Sequence, residues 1–367
     1  MNTFRKLLDA ILRGLAAGLS PGGLRAMPRD LCPGLPSLWP GDAPARRAAL
    51  EGHARAGAPG LVAATLAACL PGMLLLAELA SLPGDFWTQP WPRAALQGLG
   101  AALPGVLAGL ALDGLRRLPG RLVSAGLAVC TGGLFFLGLK PFAMLLGGAV
   151  IGVLLLPEPA QAVAPPPSPD PACLRPWRFL ALFGVLAAAT GGVFLLDPGL
   201  GRIFLAAFKA EFWGLGGAGA WPLLSGDYVR ARHWLAPGAF ADLAALALAV
   251  PGPAAALAAG CGMLARGLPG ALAAGAGAAL SAALTLLASA PCMDAVAASP
   301  WARKALAGTG AVLCGITAGL AALTAAGRAW DASGIALASA ALAASLWGAG
   351  RVWVALAAAL AGVALYG

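Results

Sequence analysis

Charge is what this sequence has least of. Of its 367 residues, 11% are Asp, Glu, Lys or Arg and 60% are hydrophobic, whereas a soluble domain carries about 25% charged residues. So little polar surface cannot clothe a water-soluble body of this length, and lipid must face much of the exterior. Histidine is nearly absent (His53 and His233), and the seven cysteines, Cys32, Cys69, Cys130, Cys173, Cys261, Cys292 and Cys314, fall into no C-x-x-C cluster. No ligand set for zinc or haem can be assembled from them, so no cofactor or metal is expected. There is no Walker-type P-loop, no G-x-S-x-G and no pair of aspartates in an apolar run. Those absences argue against ATP-driven work and against intramembrane hydrolysis, and hence against an enzyme. The roughly 10-residue alternating segments of a transmembrane barrel are missing too.

What is present is a series of apolar runs of about 18 residues or more, each able to cross a bilayer as a helix. The expected fold is an all-α, polytopic transmembrane helical bundle. Glycine (52) and proline (30) are frequent; small residues let helix backbones approach closely in lipid. The formal net charge of +9 has two readings, cytoplasmic loops rich in Lys and Arg or attraction for anions, and composition leaves both open. Residues 1–20 carry Arg5, Lys6, Asp9 and Arg13 at helical spacing without a compact apolar core and cleavage site, which predicts a retained amphipathic helix.

An internal repeat is the most informative feature. Shifted by 210 residues, Pro59–Leu112 falls on Pro269–Ala322 without a gap. Pro59-Gly60 meets Pro269-Gly270, Pro90-Trp91 meets Pro300-Trp301, and Arg93 meets Arg303. Gly98, Gly100, Gly105 and Gly109 meet Gly308, Gly310, Gly315 and Gly319. The same shift lays the apolar pair 122–139 and 142–156 over 332–349 and 351–366. The chain therefore divides into a first copy (1–157), a Pro-rich linker with one extra apolar span (158–198) and a second copy (199–367). With an even number of crossings per copy, the extra span would invert the second copy. Fused repeats of this kind typify secondary transporters, whose sites lie near the midplane between the halves. Arginines at 46, 47, 55, 116, 117, 121, 175 and 178 predict that the N-terminus, the loop 113–121 and the linker face the cytoplasm. Arg93 and Arg303, at span starts, read as snorkelling interface anchors.

In each copy one segment is rich in helix breakers. In the second it carries Lys209, Glu211, Gly216-Gly217, Trp221-Pro222-Leu223-Leu224, Arg230, Arg232, His233-Trp234 and Pro251-Gly252-Pro253. Proline and glycine in lipid leave backbone groups to be satisfied by protein, water or ligand, and interrupted helices expose N–H groups that suit anions. Gly216, Gly217, Pro251, Gly252, Pro253 and Lys209 are thus candidates for substrate binding, and Glu211, Arg230, Arg232 and His233 for coupling or steering. For Lys209 and Glu211 a pair at the water interface is an equal alternative. The first copy holds a worn counterpart in Gly22, Gly23, Pro40, Gly41 and Asp42, with the glycine-to-proline interval about 17 residues shorter.

The order Gly-Gly, Pro-Leu-Leu, Arg-x-x-His-Trp-Leu, Pro-Gly-Pro and Gly-x-x-x-x-Gly-x-Pro-Gly resembles the chromate ion transporter family, whose long members fuse two homologous halves of opposed topology. Leu215-Gly216-Gly217-Ala218 answers the family's Phe-Gly-Gly motif, and His233-Trp234-Leu235 its Trp-Leu, with Asp242 in the helix that follows. Gly52-His53-Ala54-Arg55-Ala56-Gly57-Ala58-Pro59-Gly60 is similar to its Gly-Tyr-Arg-Arg-Ala-Gly-x-Pro-Gly. Departures are Leu215 for Phe, Leu248 for the Gln before Pro-Gly-Pro, and Ala254-Ala255-Ala256 for polar residues after it. The resemblance implies efflux of a small inorganic oxyanion such as chromate, by alternating access between two repeats, with the lipid bilayer as surrounding partner and no nucleic acid; a homodimer is compatible with it. Transport of sulfate-like or organic anions, and a non-transporting scaffold, stay open as alternatives.

Overall fold

The computed structural model describes residues 3–19, 43–158, 176–215, 217–250, 255–289 and 299–367. Among these are helices and no strand. The first copy contributes α1 (Thr3–Leu19), α2 (Ala43–Ser81), α3 (Gly84–Thr88), α4 (Pro90–Arg116), α5 (Arg121–Phe136) and α6 (Pro141–Leu155). After α7 (Pro176–Leu196), the second contributes α8 (Pro198–Trp213), α9 (Ala220–Ser225), α10 (Pro237–Ala249), α11 (Ala255–Ser289), α12 (Pro300–Ala326), α13 (Ala332–Leu346) and α14 (Arg351–Tyr366). A 3₁₀ turn (Gly217–Gly219) precedes α9, and a π-helix (Gly226–Ala231) follows it.

The helices α2 and α11 are not single rods. Gly57 (φ 65°, ψ −151°) interrupts α2, and Gly267 (φ 63°, ψ −156°) interrupts α11 at the repeat-matched position. This backbone region is essentially restricted to glycine. Beyond each break the chain doubles back. A Cβ at Gly52 would run into the carbonyl oxygen of Gly60, and one at Gly60 into that of Gly52; Gly262 and Gly270 oppose each other in the same way. In a straight helix residues eight apart lie ~12 Å apart along the axis. Each Gly-x-x-x-x-Gly-x-Pro-Gly motif is therefore a tight helical hairpin: two glycines for backbone contact, one for the reversal, and a proline to open the next helix. The expected spans over 61–81 and 271–291 are the returning limbs, 58–81 and 268–289. At 1.5 Å per residue these rise ~36 and ~33 Å, enough to cross a bilayer.

The two copies interlock through repeat-matched contacts. Gly98 on α4 abuts Ala358 and Gly362 on α14, and its counterpart Gly308 on α12 abuts Gly148 and Gly152 on α6. Likewise Gly105 meets Ala338 on α13 while Gly315 meets Ala128 on α5, and Gly109 meets Leu342 and Ser345 while Gly319 meets Gly132 and Phe135. Each of these contacts from first copy to second is repeated from second to first, which is the mark of an isologous, two-fold arrangement. Along the direct contact of α4 with α12, Gly100 meets Arg328, Gly114 meets Cys314, and Leu118 meets Gly310. The partner's number falls as α4 rises, so these repeat-related helices run antiparallel. The fold is a polytopic helical bundle of two inverted repeats with broken helices. Each copy's last two helices pack on the long helix of the other.

Burial follows the logic of lipid. Most residues sealed in the core are alanines, whereas Leu122, Leu137, Leu195, Leu196 and Trp347 are largely exposed. Large apolar side chains face outward, and small ones let backbones meet. The short helices α5 and α13 both end in Schellman turns at Gly138 (φ 96°) and Gly348 (φ 81°). There the N–H groups of Leu139 and Ala349 donate to the carbonyls of Leu134 and Ala344 at 3.0 and 2.9 Å. One expectation is overturned: Arg303 is 5% exposed and ion-paired with Glu158, so it ties the end of the first copy to the start of α12 instead of snorkelling.

Candidate functional site

Two helix pairs in the second copy fold back on themselves. In the first, α8 runs to Trp213, and the chain returns through the 3₁₀ turn, α9 and the π-helix. Lys209 on the outgoing limb reaches Asp227 on the return, its Nζ 2.8 and 2.7 Å from the two carboxylate oxygens. Where the limbs meet, Leu215 (φ 53°) and Gly217 (φ 69°) both take left-handed backbone. For leucine that costs about 1 kcal/mol. The return limb ends at His233 (φ 52°), where the N–H groups of Trp234 and Leu235 donate to the Tyr228 carbonyl at 2.8 and 3.1 Å. His233-Trp234-Leu235 is thus a helix stop.

The second pair is α10 and the first limb of α11. A Cβ on Gly260 would lie 3.0 Å from Leu243 Cδ1, although a separation of seventeen residues would cover ~25 Å of continuous helix. With only a short connection between Val250 and Ala255, the limbs lie antiparallel. Pro251, Gly252 and Pro253 fall in that connection and lie outside the described residues, as do Gly216 and the first-copy positions Gly22, Gly23, Pro40, Gly41 and Asp42.

The packed interior of this region contains polar atoms without a hydrogen-bond partner among the described residues. Trp221 and Tyr228 are 2% and 0% exposed, and the indole Nε1 and the phenol oxygen have no hydrogen-bond partner among the described residues. Both groups can donate a hydrogen bond, and a buried donor left unmatched costs about 1–3 kcal/mol. The Trp234 ring closes on Tyr228 edge to face at 5.0 Å.

The other candidate residues separate into distinct surroundings. Lys209 is exposed and neutralised by Asp227, while Glu211 is buried on the opposite side of α8, so the two do not form a pair with each other. Arg230 turns to the first copy: it donates to the Phe135 carbonyl and covers the Phe135 ring at 4.6 Å. Arg232 lies over the Trp234 ring at 4.9 Å and lines an open cleft of about 410 Å³ with Arg202 and Arg266. Beside that cleft Asp197 caps α8, accepting from the Gly199 N–H at 2.5 Å, and takes the Arg266 guanidinium at 2.6 Å. The Gly199 N–H first, and then the Arg266 charge, hold the Asp197 carboxyl below its ordinary range. Among the described residues no three His, Cys, Asp or Glu side chains gather as a metal site.

A model of the Chromate transporter family matches the chain twice, over residues 34–153 and 201–363. The chain belongs to the chromate transporter family. The double match coincides with the two interlocked copies, and the protein is a multi-pass membrane transporter of the chromate type. No curated protein and no solved structure matches the chain.

Three functional features were missed in the sequence. Asp227 lies eighteen residues from Lys209, and nothing local marks them as a pair. Tyr228 is one of two tyrosines in the chain, and that rarity in an apolar stretch was a usable signal. Arg202 lacked any motif, because it acquires neighbours only when α8 is laid beside the α11 hairpin.

Proposed function

We propose that the chain exports chromate across a bacterial inner membrane by alternating access. The substrate would bind between the tips of the two folded-back pairs of the second copy. Gly216, Gly217, Pro251, Gly252 and Pro253 would free backbone N–H groups there, and Trp221 and Tyr228 would supply side-chain donors. The carrying observation is those two buried, unmatched donors on a strained, re-entrant limb. Chromate is a tetrahedral anion whose oxygens only accept, so it matches donors that find no acceptor among the described residues. Lys209, bound to Asp227, is better suited to bracing the two limbs, and Glu211 to proton coupling. Gly22, Gly23, Pro40, Gly41 and Asp42 would form a reduced counterpart, which makes the second copy the principal site. The copy boundaries at 157 and 199 and a cytoplasmic N-terminus fit the arginine distribution.

Cellular chromium, measured after loading a chromate-sensitive bacterium with and without the chain, tests this reading. Lower accumulation with the chain is expected, with the effect lost in Tyr228→Phe and Gly252→Leu; accumulation equal to an empty vector would sink it. A second reading, transport of a sulfate-like or organic anion, is favoured by the buried Leu248 and by the alanines at 255 and 256 where family members carry polar groups. Loading with sulfate in the same assay separates the two.

A further inference from the structure

We infer that the cleft lined by Arg202, Arg232 and Arg266 is a second anion site, an entrance vestibule for a tetrahedral oxyanion bearing about two negative charges. Its role in transport rests on the proposed function, but its ligand chemistry does not. Three elements distant in sequence build it: the first turns of α8, the stop after the π-helix and the reversal of the α11 hairpin. Each contributes one guanidinium to a cleft of about 410 Å³. The carboxylate beside them, Asp197, is engaged by Arg266 and by the cap of α8. Among the described residues the Arg202 side chain makes no hydrogen bond or ion pair, and the Arg232 guanidinium rests against the face of Trp234 at 4.9 Å. Two positive charges therefore stay unbalanced in one concavity, flanked by apolar helices whose low dielectric strengthens their field.

Guanidinium is the cation whose planar fork matches a tetrahedral oxyanion in bidentate fashion. The N-terminus of the sixteen-residue α8 opens on the same cleft and adds partial positive charge. Gly199 makes the approach possible: a Cβ there would come 2.6 Å from the Arg266 guanidinium carbon. Among the described residues of the first copy no such set of arginines is found. Its hairpin presents Arg55 beside Arg13 of α1, and both are met by carboxylates, Asp9 and Glu51. Among the described residues the vestibule is therefore a feature of the second copy.

Equilibrium dialysis of labelled chromate and of labelled sulfate against the purified full chain, in nanodiscs of zwitterionic lipid at low ionic strength, tests the site. The double variant Arg202→Gln, Arg232→Gln should lose a salt-sensitive component, with half-saturation raised about tenfold, and Arg202→Gln alone should show a smaller shift in the same direction. Arg117→Gln, which removes a charge paired with Asp113 elsewhere, should leave the isotherm unchanged. Isotherms that coincide for wild type and both cleft variants would overturn the inference. Adding an anionic phospholipid identifies the source of the ligand. If it abolishes the arginine-dependent component in wild type, a lipid headgroup phosphate occupies the cleft; if the component persists, the free oxyanion does. A chain that moves no chromate yet binds it through these arginines would refute the transport proposal and keep the vestibule. A chain that transports normally with either variant's isotherm unchanged does the reverse.

Discussion

The hairpins α2 and α11 are the same object built twice. Their reversing glycines share backbone angles to within a few degrees, and their glycine pairs, 52 with 60 and 262 with 270, oppose each other in the same register. Their charged surroundings differ completely. In the first copy Arg13 and Arg55 are tied to Asp9 and Glu51, with Arg13 at 3.3 and 3.4 Å from its partners. In the second, Asp197 pairs with Arg266 beside a cleft lined by three arginines. Steric contact inside a hairpin leaves no latitude, because a Cβ would meet a carbonyl oxygen. Exposed charge at the rim costs little to change, since a surface ion pair is worth about 0–1 kcal/mol. Duplication keeps the packing common to both copies and lets electrostatics become different on the two faces.

That comparison can be broken or sharpened, starting with the largest effect. Gly262→Val and Gly52→Val should each destabilise by about 3 kcal/mol or more, by overpacking against a backbone that cannot move aside. Thermal unfolding in detergent reads this, and a tolerant response in only one copy would break the equivalence. Next, Arg303→Gln should cost about 2 kcal/mol because it strips a buried guanidinium from Glu158. Its repeat partner Arg93 is exposed, and Arg93→Gln should stay within about 0.5 kcal/mol. Gly57→Ala and Gly267→Ala meet open space, so both should pay only for backbone strain, about 1–2 kcal/mol. A cost near that of Gly262→Val would show that contacts, not torsion, set the reversal.

Smaller effects concern the rim. Asp197→Asn keeps a capping side chain but removes the one carboxylate, and should tighten oxyanion binding by about threefold in the dialysis measurement. Because the Asp197 pKa is depressed in the folded chain, its ion pair with Arg266 is present above the ordinary value near 3.8 and is lost as pH falls through the lower folded value. Sulfate binding by wild type should therefore rise toward that of Asp197→Asn only below about pH 4, whereas the variant should show no such rise. Smallest of all, Leu215→Gly should change stability by less than about 1 kcal/mol, relief of the left-handed backbone offsetting the entropy of glycine.

Much of this was readable before any coordinates. The 210-residue register predicted which helices would be equivalent, since Pro-Gly and glycine runs cannot slide without placing a Cβ in a carbonyl. The apolar pairs at 122–139 and 142–156 became α5 and α6, and those at 332–349 and 351–366 became α13 and α14, as period and breakers required. The sequence reads Arg230, Arg232 and His233 alike as anion-steering candidates, and the structure puts them in different surroundings. Arg232 lines the cleft. Arg230 is bound to the Phe135 carbonyl, and His233 ends a helix. Both roles depend on neighbours from other elements, which a linear pattern does not reveal.

Membrane embedding, helical class, duplication and the positions of the breaks were determined by the sequence alone, because each follows from composition or from the torsions that glycine and proline allow. Whether a break was a kink or a reversal was decided only by tertiary structure, through the opposed pairs Gly52–Gly60 and Gly262–Gly270. The same holds for the assembly of Arg202, Arg232 and Arg266 into one cleft, and for the burial of Trp221 and Tyr228. Charge acts through space, and burial is a property of the whole packed body.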